Sequence, residues 1–301
     1  MNKKFALTEA LMLFTISVFI LSSFSFTKIG VGQVEEEEWA KYSGNPVINP
    51  TQGWEGDHVA SSNVRYEDGK FKMLYWGLGG GPHTPTGAIG YATSTDAVSW
   101  SKYAGNPTFA PSYGVNNTYI VRVNSTHLYM YYGNWTEDNQ IGYTQTIYLA
   151  YSIDDGYSWT EYTKTNLWSY GKIGVCKDRN VWHALSCNPF SDSLDYWNSS
   201  DGINWLYYSG NPVLQPSAPY NYLATPYLTM VNGRLCAWYA MQQEYWWAGI
   251  GRAYADETNL HWTPYEGNPV LTRGIGWEEA HVSIPHPVSY THLRAHETVL
   301  D

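Results

Sequence analysis

Charged residues are scarce in this sequence: Asp, Glu, Lys and Arg together make up 15% of the 301 residues. The formal net charge is −10, and no block of lysine or arginine follows the first few residues. Proteins that bind nucleic acid need clustered cations to neutralise the phosphate backbone. The composition therefore excludes nucleic acid as an expected partner.

Cysteine is scarce as well. The three cysteines are Cys176, Cys187 and Cys236, and none of them forms the Cys-x-x-Cys pair that is typical of zinc or redox sites. A single disulfide between Cys176 and Cys187 is one option that the sequence leaves open. We expect no metal and no other cofactor.

The first 26 residues have the pattern of an export signal. Lys3 and Lys4 precede an apolar run, Leu11–Ile20, and a serine-rich stretch follows. An uncleaved N-terminal anchor is the alternative to a signal peptide over residues 1–26, because the run continues past Ile20 and no Ala-x-Ala cleavage site is evident. Either interpretation predicts an extracellular or cell-surface protein that contacts a membrane only through such an anchor. Residues 27–38 are an acidic lead-in without an assigned role.

The sequence is rich in aromatic residues and glycine, with 27 Tyr, 15 Trp and 27 Gly, which favours strands joined by tight turns. Five tryptophans recur at intervals of 46 to 61 residues, and each is followed three residues later by a tyrosine. Each interval is long enough for four short antiparallel strands. The five pairs are Trp39 with Tyr42, Trp100 with Tyr103, Trp159 with Tyr162, Trp205 with Tyr208, and Trp262 with Tyr265.

Four of these pairs continue into a Gly-Asn-Pro segment, and the Trp159 repeat lacks it. The four segments begin at Gly44, Gly105, Gly210 and Gly267. The two ends of the repeat region also share a sequence, because Gly276-Trp277-Glu278 resembles Gly53-Trp54-Glu55. Repeats of this period indicate a solenoid or a propeller in which each repeat is one structural unit.

The repeats predict an all-β fold, a five-bladed β-propeller of four-stranded antiparallel blades over residues 39–287. The strand that carries Trp39 is expected to close the last blade, since closure removes an exposed sheet edge. The last blade is expected to be incomplete, because the repeat pattern stops near Pro287. Residues 288–301 resemble translated adapter sequence and are expected to be a non-native tail.

The Gly-Asn-Pro-Val segments, the strand Ile89-Gly90-Tyr91-Ala92 and the Asp-Gly-x-x-Trp hairpins together resemble the five-bladed propeller superfamily of arabinanases, invertases, levansucrases and mannoside phosphorylases (glycosyl hydrolase families 32, 43, 68 and 130). The resemblance covers Trp39 to Pro287. It implies a protein that acts on glycosidic bonds of an oligo- or polysaccharide in a funnel at the propeller axis, using carboxylates on the innermost strands. Fold alone does not fix function.

Glycosidic cleavage requires one carboxylic acid and one carboxylate. Asp57, from blade one, and Glu279, from blade five, are the preferred pair, because these blades become neighbours when the ring closes. Asp57 is the expected base or nucleophile and Glu279 the expected acid, with Glu244 in a loop of blade four as the reserve acid. Blades two, three and four depart from the family pattern, since no acid stands at the aligned positions. Those positions hold Ser112 and Gly114, then Trp168, then Asn221.

Other polar and aromatic residues at strand ends and in loops are candidates for substrate binding, because aromatic rings stack on the apolar faces of sugars. They are Trp54, Glu55, His58, Trp76, His83, Tyr222, Trp246 and His281. Glu55 and His58 recur as Glu278 and His281 in the last blade, so a structural role is the alternative for these residues.

Three other functions stay open. A propeller that binds carbohydrate without cleaving it fits the missing acids of blades two to four. A sialidase-like function rests on the segment Ser152–Trp159, which has the spacing of an Asp box. A glycoside phosphorylase needs a cationic phosphate site, for which Lys177 and Arg179 are the closest pair.

Overall fold

The structure is a computed structural model that describes residues 11–14, 17–18, 39–56, 58–79, 87–134, 145–256, 259–275 and 281–288. Regular structure in these residues consists of strands and one turn of 3₁₀ helix, Gly53–Glu55. The described part of the chain is all-β, as the composition predicts. It contains no helix of the length and apolarity that crossing a membrane would require.

Consecutive strands pair antiparallel in four sheets, which are blades one to four of a propeller. Two strands near the N-terminus and one near the C-terminus form a fifth sheet. In chain order the strands are β1 (Leu11–Phe14) and β2 (Ser17–Val18) of the fifth sheet; β3 (Val59–Glu67), β4 (Lys70–Leu78), β5 (Gly87–Ser94) and β6 (Ser101–Lys102) of blade one; β7 (Val115–Arg122), β8 (Leu128–Asn134), β9 (Gln145–Ser152) and β10 (Thr160–Ser169) of blade two; β11 (Gly174–Asp178), β12 (Val181–Asn188), β13 (Ser193–Ser199) and β14 (Trp205–Tyr207) of blade three; β15 (Tyr222–Val231), β16 (Arg234–Gln243), β17 (Trp246–Ala255), β18 (Trp262–Pro264) and β19 (Leu271–Thr272) of blade four; and β20 (His286–Val288) of the fifth sheet.

The fifth sheet stands where the last blade is expected. β20 pairs with β1, and β1 pairs with β2. The backbone N–H of Val64 on β3 donates to Nδ1 of His286 on β20 at 3.4 Å, so the fifth sheet adjoins blade one and the ring is closed. The prediction of a β-propeller of four-stranded antiparallel blades is confirmed: four blades are complete, and the described residues of the fifth sheet form three short strands.

Apolar side chains fill the spaces between neighbouring blades, as the alternation of large and small residues along the strands predicts. Tyr131 of blade two shows how. Its fully buried ring lies 6.4 Å from Trp182 and 6.1 Å from Trp205 of blade three, in edge-to-face geometry. Its hydroxyl donates to the Gly202 carbonyl at 2.9 Å, so the polar end of the ring is also satisfied.

The Tyr-x-Gly-Asn part of the repeat forms one turn with the same shape four times. In each turn the asparagine N–H donates to the tyrosine carbonyl, at 3.1 to 3.3 Å. A Cβ on the glycine would lie 2.5 to 2.6 Å from the tyrosine ring, so only glycine fits there. The four turns are those of Asn45, Asn106, Asn211 and Asn268.

The asparagine side chain of this turn holds the third strand of its blade. In blade one, Asn106 accepts a hydrogen bond from the Tyr91 N–H at 2.8 Å and donates one to the Tyr91 carbonyl at 3.0 Å. Two backbone bonds flank it, from Tyr103 N–H to the Tyr91 carbonyl at 2.8 Å and from Thr108 N–H to the Ile89 carbonyl at 2.7 Å. We call these four bonds the asparagine clamp. The same clamp holds Tyr196 through Asn211 in blade three and Arg252 through Asn268 in blade four.

Blade two needs no clamp because its outer strand is longer. β10 has ten residues and pairs directly with β9, whereas β6, β14 and β18 have two or three residues each. The Trp159 repeat lacks the Gly-Asn-Pro segment, and in its blade the pairing of β10 with β9 takes the place of the asparagine clamp.

Removing a clamp asparagine is expected to destabilise the propeller. Asn106→Ala leaves the buried N–H and carbonyl of Tyr91 with fewer partners, so we expect the free energy of unfolding to fall by about 2 kcal/mol. Urea unfolding followed by tryptophan fluorescence measures it. An unchanged urea midpoint would contradict the assigned role of the clamp.

One expectation from the sequence is wrong, since Trp39 does not lie on a strand. The possible disulfide between Cys176 and Cys187 does not form: all three cysteines are buried, and none of them is part of a disulfide. Cys176 of β11 pairs with His183 of β12, which lies four residues before Cys187, so the two thiols are held apart along the ladder.

An ion-pair network joins blades one and two at the end of the propeller where the innermost strands finish. Asp155 accepts from Arg65 at 3.1 Å and from Lys72 at 2.8 Å, and Arg122 binds both Glu67 and Asp155. Burial raises the pKa of Asp155, but the hydrogen bond from Lys72 and the charge of Arg65 outweigh it, so the net pKa is lowered. The pKa of Glu67 is lowered in the same way, mainly by Arg122.

This network makes the protein acid-sensitive. Carboxylates with a lowered pKa stabilise the fold above their unfolded pKa of about 4, and that stabilisation is lost as the pH falls through the folded values. Asp155→Asn is therefore expected to flatten the decline of the thermal midpoint below about pH 4. If the thermal midpoint of the variant fell as steeply with pH as that of the wild type, a role of the network in acid unfolding would be contradicted.

Candidate functional site

The innermost strands β3, β7, β11, β15 and β20 surround the propeller axis, and three of them carry a bulge shortly after they begin. The register shifts lie between Ala60 and Asn63, between Asn116 and Tyr119, and between Ala224 and Tyr227. Bulges of this kind re-aim side chains and are frequent beside active sites. We call the end of the propeller at which these strands begin the strand-start end.

The backbone at the strand-start end is strained. Asn117, Thr225 and Ile284 have φ angles of 50°, 45° and 57°, which β-branched residues in particular rarely adopt. Side-chain hydrogen bonds support this geometry: the Ile284 N–H donates to the Thr225 hydroxyl at 3.1 Å, and the Thr225 N–H donates to Sγ of Cys187 at 3.3 Å. Strain that neighbouring groups hold in place clusters at functional sites.

An aromatic cluster lies at the strand-start end between blade four and the fifth sheet, and it unites three of the predicted binding residues. Tyr222 packs on Trp247 at 5.8 Å between ring centroids, and Trp246 lies 6.4 Å from His281. Trp247 and His281 are also bridged through their backbones. Arg273, which the sequence did not single out, covers the Trp246 ring at 5.6 Å. We call these five residues the aromatic rim.

The aromatic rim offers both an open ring and unused polar atoms. Trp246 is 44% exposed, so one part of its ring faces solvent. The Tyr222 hydroxyl and Nδ1 of His281 are buried and have no hydrogen-bond partner among the described residues. Burial raises the pKa of Tyr222, so the hydroxyl keeps its proton and can donate it in a hydrogen bond. Such a pairing of apolar faces with polar edges suits a sugar ring.

Glu244, the reserve acid, lies beside the aromatic rim. It occupies the two-residue turn between β16 and β17, directly before Tyr245 and Trp246, and its side chain is exposed. Glu244 therefore lies at the strand-start end of the propeller, and its role as reserve acid stays a prediction.

Glu55, a predicted binding residue, makes structural contacts within blade one and its flanking segment. Its buried carboxylate accepts from the Thr51 and Gln52 N–H groups, from the Tyr75 hydroxyl at 2.7 Å and from Lys102 at 2.7 Å. Burial raises the pKa of Glu55, but the Lys102 hydrogen bond and the other donors outweigh it and lower the net pKa. These contacts favour the structural alternative for Glu55.

Trp54 and Trp76 serve mainly to pack blade one. The Trp54 ring lies against Gly77 and is 5.7 Å from Tyr75. Trp76 reaches across to blade two, where its indole N–H donates to the Val115 carbonyl at 2.6 Å. Both side chains are half-buried.

His58 is exposed directly before β3, and its carbonyl accepts from the Leu78 N–H at 3.2 Å. Asp57, Glu279 and His83 lie outside the described residues. The flanking residues nevertheless locate two of them in the chain, since Asp57 precedes His58 and Glu279 is two residues before His281. The pair Asp57 and Glu279 stays a prediction.

The predicted alignment of the repeats is wrong at one position: Trp168 does not begin an innermost strand but lies on β10, the outer strand of blade two. The residues directly before β7, β11 and β15 are Gly114, Ile173 and Asn221. None of these three is an acid, in agreement with the departure from the family pattern seen in the sequence.

Lys172 is a buried residue near the axis that the sequence gave no reason to select. Its ammonium is 5.8 Å from the Tyr119 ring centroid and has no hydrogen-bond partner among the described residues. Burial lowers the pKa of Lys172 to about 7. Nearby His286 is held neutral, since burial and the charge of Lys172 both lower its pKa.

The Asp-box segment is a structural hairpin. Ser152 donates to Asp154 at 2.7 Å, and Asp154 accepts from the Ser158 N–H at 2.9 Å. The hairpins of Asp96 and Asp201 repeat this pattern in blades one and three. All three hairpins lie at the end opposite the strand starts. Within the described ranges, no group of three His, Cys, Asp or Glu residues could hold a metal ion.

Comparison with solved structures places the fold in a known class. No family model matches the sequence. A structure from the GH130 family of mannoside phosphorylases, a family that contains glycoside hydrolases that target beta-1,2 mannosidic linkages in Candida mannan, has a TM-score of 0.62 at 16% identity, over 82% of this chain and 86% of that one. A glycosyl hydrolase from Bacteroides ovatus gives 0.60 at 14% identity, over 78% and 81%.

A third similar structure is the GH32 β-fructofuranosidase of Bombyx mori, with a TM-score of 0.51 at 16% identity, over 68% of this chain and 48% of that one. The chain therefore has the β-propeller fold of these three structures. At these identities the similarity establishes the fold.

Proposed function

We propose that this protein is an exported carbohydrate-active enzyme that hydrolyses glycosidic bonds of an oligo- or polysaccharide at the strand-start end of the propeller. The aromatic rim is the observation that carries this proposal. It presents a half-exposed tryptophan, a cation and two unused buried polar atoms at the end where bulges and strained residues cluster. The shared fold with glycoside hydrolases supports the same substrate class.

Hydrolysis would use Asp57 as base or nucleophile and Glu279 as acid. Blade one and the fifth sheet are neighbours through the bond between Val64 and His286, as the choice of this pair requires. Two carboxyl groups on neighbouring strands can flank one glycosidic bond, one protonating the leaving oxygen and the other attacking or activating water. His281 belongs to the aromatic rim, and the expected acid, Glu279, precedes it by two residues in the sequence.

Binding of carbohydrate without cleavage is the second candidate. It is favoured by Gly114, Ile173 and Asn221, which stand where an acid would be needed in blades two to four. The aromatic rim serves either function equally.

The two candidates are separated by incubating the purified chain with a panel of nitrophenyl glycosides and of plant and microbial polysaccharides. Release of nitrophenol or reducing sugar is the result expected for the enzyme. Retention of a polysaccharide on an affinity gel without release of product would instead support binding of carbohydrate without cleavage.

The aromatic rim makes a separate prediction about affinity. Trp246→Ala removes the exposed stacking ring and is expected to weaken binding of the polysaccharide roughly tenfold, which corresponds to about 1.4 kcal/mol. Affinity electrophoresis measures the change. Tyr162→Ala is the matched control, because Tyr162 is an exposed aromatic residue on the outer strand of blade two. If both substitutions weakened binding equally, the assignment of the aromatic rim to the binding site would be contradicted.

A further inference from the structure

Lys172 is a buried lysine beside the propeller axis, two residues before the innermost strand β11 of blade three. Its side chain is 1% exposed, and its ammonium has no hydrogen-bond partner among the described residues. The centroid of the Tyr119 ring is 5.8 Å from Nζ, which is the outer limit of a cation–π contact. Such a contact does not replace the water that the ammonium has lost, so the charged form of Lys172 is costly.

Two further basic side chains, from the innermost strands of the fifth sheet and of blade one, share this region. His286 of β20 is 4% exposed and packs on the same Tyr119 ring, with 6.2 Å between the centroids. Nδ1 of His286 accepts from the Val64 N–H, so the neutral ring carries its proton on Nε2, which is a donor. Burial lowers the pKa of His286 most, and the charges of Lys172 and Arg65 lower it further.

Acidic side chains in the described ranges do not balance the charge of Lys172. Arg65 is paired with Asp155 at 3.1 Å and with Glu67 at 3.4 Å. In contrast, none of the Asp or Glu residues that the structure describes contributes to the pKa of Lys172 or of His286. Lys172 is therefore the basic group at the axis whose charge is not compensated within this part of the chain.

The other polar groups packed here do not supply a negative charge either. Burial raises the pKa of the Tyr119 hydroxyl, which donates to the Leu228 carbonyl at 3.0 Å. Burial likewise raises the pKa of Tyr227 of β15 to about 12. The buried thiol of Cys176 on β11 is the remaining neighbour of the two tyrosines. The surroundings of Lys172 thus consist of neutral groups and one further cation, Arg65.

A buried ammonium is satisfied in one of two ways: it loses its proton, or it gains a counterion. Burial lowers the pKa of Lys172 to about 7, so the ammonium and the free amine are close in free energy near neutral pH. A counterion that reaches Nζ therefore decides between them. Because Nζ is enclosed, this counterion has to be small, and one negative charge matches the single ammonium.

We propose that Lys172 forms an axial binding site for a small monovalent inorganic anion of the halide class, with chloride as its ligand. The anion accepts a hydrogen bond from the ammonium, and Nε2–H of His286 is the second donor. It offsets the repulsion between the charges of Lys172 and Arg65, so it stabilises the closed ring. This site is separate from the aromatic rim and does not depend on the proposed carbohydrate substrate.

The thermal midpoint of the full chain in sodium chloride and in sodium methanesulfonate of equal concentration tests the proposal. At about pH 6 most of the Lys172 side chain is charged. There, chloride at about 100 times its dissociation constant is expected to give a midpoint roughly 5 °C higher than methanesulfonate, which is too large for an enclosed site. At about pH 9 the amine is neutral, and the difference is expected to disappear. Equal midpoints in the two salts at the lower pH would overturn the proposal.

Two variants separate the site from general effects of salt. Lys172→Met keeps the length of the side chain without the charge, so its midpoint is expected to be the same in the two salts. Lys70→Met is the matched control, because Lys70 is an exposed lysine at the start of β4, and it is expected to keep the chloride effect of the wild type. An equal chloride effect in Lys172→Met would show that the anion binds elsewhere and would refute the assignment.

Bromide locates the anion without any substitution, so the proposal stays testable if Lys172→Met does not fold. Crystals of the wild-type chain are soaked in sodium bromide, and the anomalous scattering of bromide is measured. An anomalous peak in hydrogen-bond contact with Nζ of Lys172 is the expected result. Bromide peaks confined to the surface of the propeller would contradict an axial anion site.

Discussion

Asp57→Asn is expected to lower the rate of glycoside hydrolysis by about 10³-fold or more while the protein still binds its polysaccharide. The physical reason is that an amide neither attacks the anomeric carbon nor removes a proton from water, although it retains the size and much of the hydrogen bonding of the carboxylate. Steady-state hydrolysis of the best nitrophenyl glycoside from the panel measures the rate. Affinity electrophoresis measures binding in parallel.

The control for this prediction is Asp68→Asn. Asp68 is an exposed residue in the turn between β3 and β4, at the opposite end of the propeller, so its removal should not alter the rate. Glu279→Gln separates the two carboxylates by role. Loss of the acid should affect substrates with poor leaving groups most and nitrophenyl substrates least, since nitrophenolate leaves without protonation. Full activity of Asp57→Asn would contradict the assignment of Asp57.

Lys102→Ala is expected to lower the free energy of unfolding by about 3 kcal/mol, the largest stability effect that we expect. The substitution leaves the carboxylate of Glu55 buried without its counterion, and breaking a buried ion pair from one side costs far more than the pair contributes. Chemical unfolding of the variant measures the effect. Lys70→Ala is the control, because Lys70 is an exposed lysine at the start of β4.

The double variant Glu55→Gln with Lys102→Ala tests the cause. It removes the charge that would be left uncompensated, so it should be more stable than Lys102→Ala alone. A Lys102→Ala variant as stable as the Lys70→Ala control would show that Glu55 draws its stabilisation from the backbone donors and Tyr75.

The fold was predictable because the clamp is local in sequence. The tyrosine, glycine and asparagine of each turn lie within four residues of one another, and the asparagine binds a strand about 15 residues upstream. Because the unit is short and recurs, the repeat can be recognised in the amino-acid sequence.

The roles of individual residues were harder to predict because their partners are remote. Glu55 binds Lys102, 47 residues away, and nothing in the segment around Trp54 indicates that the carboxylate is already paired. Arg273 was missed because its position over Trp246 depends on how β19 lies along β17. Trp168 was misplaced because blade two, with its long outer strand, does not follow the spacing of the other repeats.

Hydrogen–deuterium exchange with and without the polysaccharide that the chain retains or hydrolyses tests most directly whether carbohydrate binds at the strand-start end. We predict slower exchange of the backbone amides of Tyr222, Trp246 and Trp247 when the polysaccharide is present. The hairpins at the opposite end, at Asp68 and Asp154, should exchange at unchanged rates. Protection of those hairpins without protection of the aromatic rim would contradict carbohydrate binding at the strand-start end.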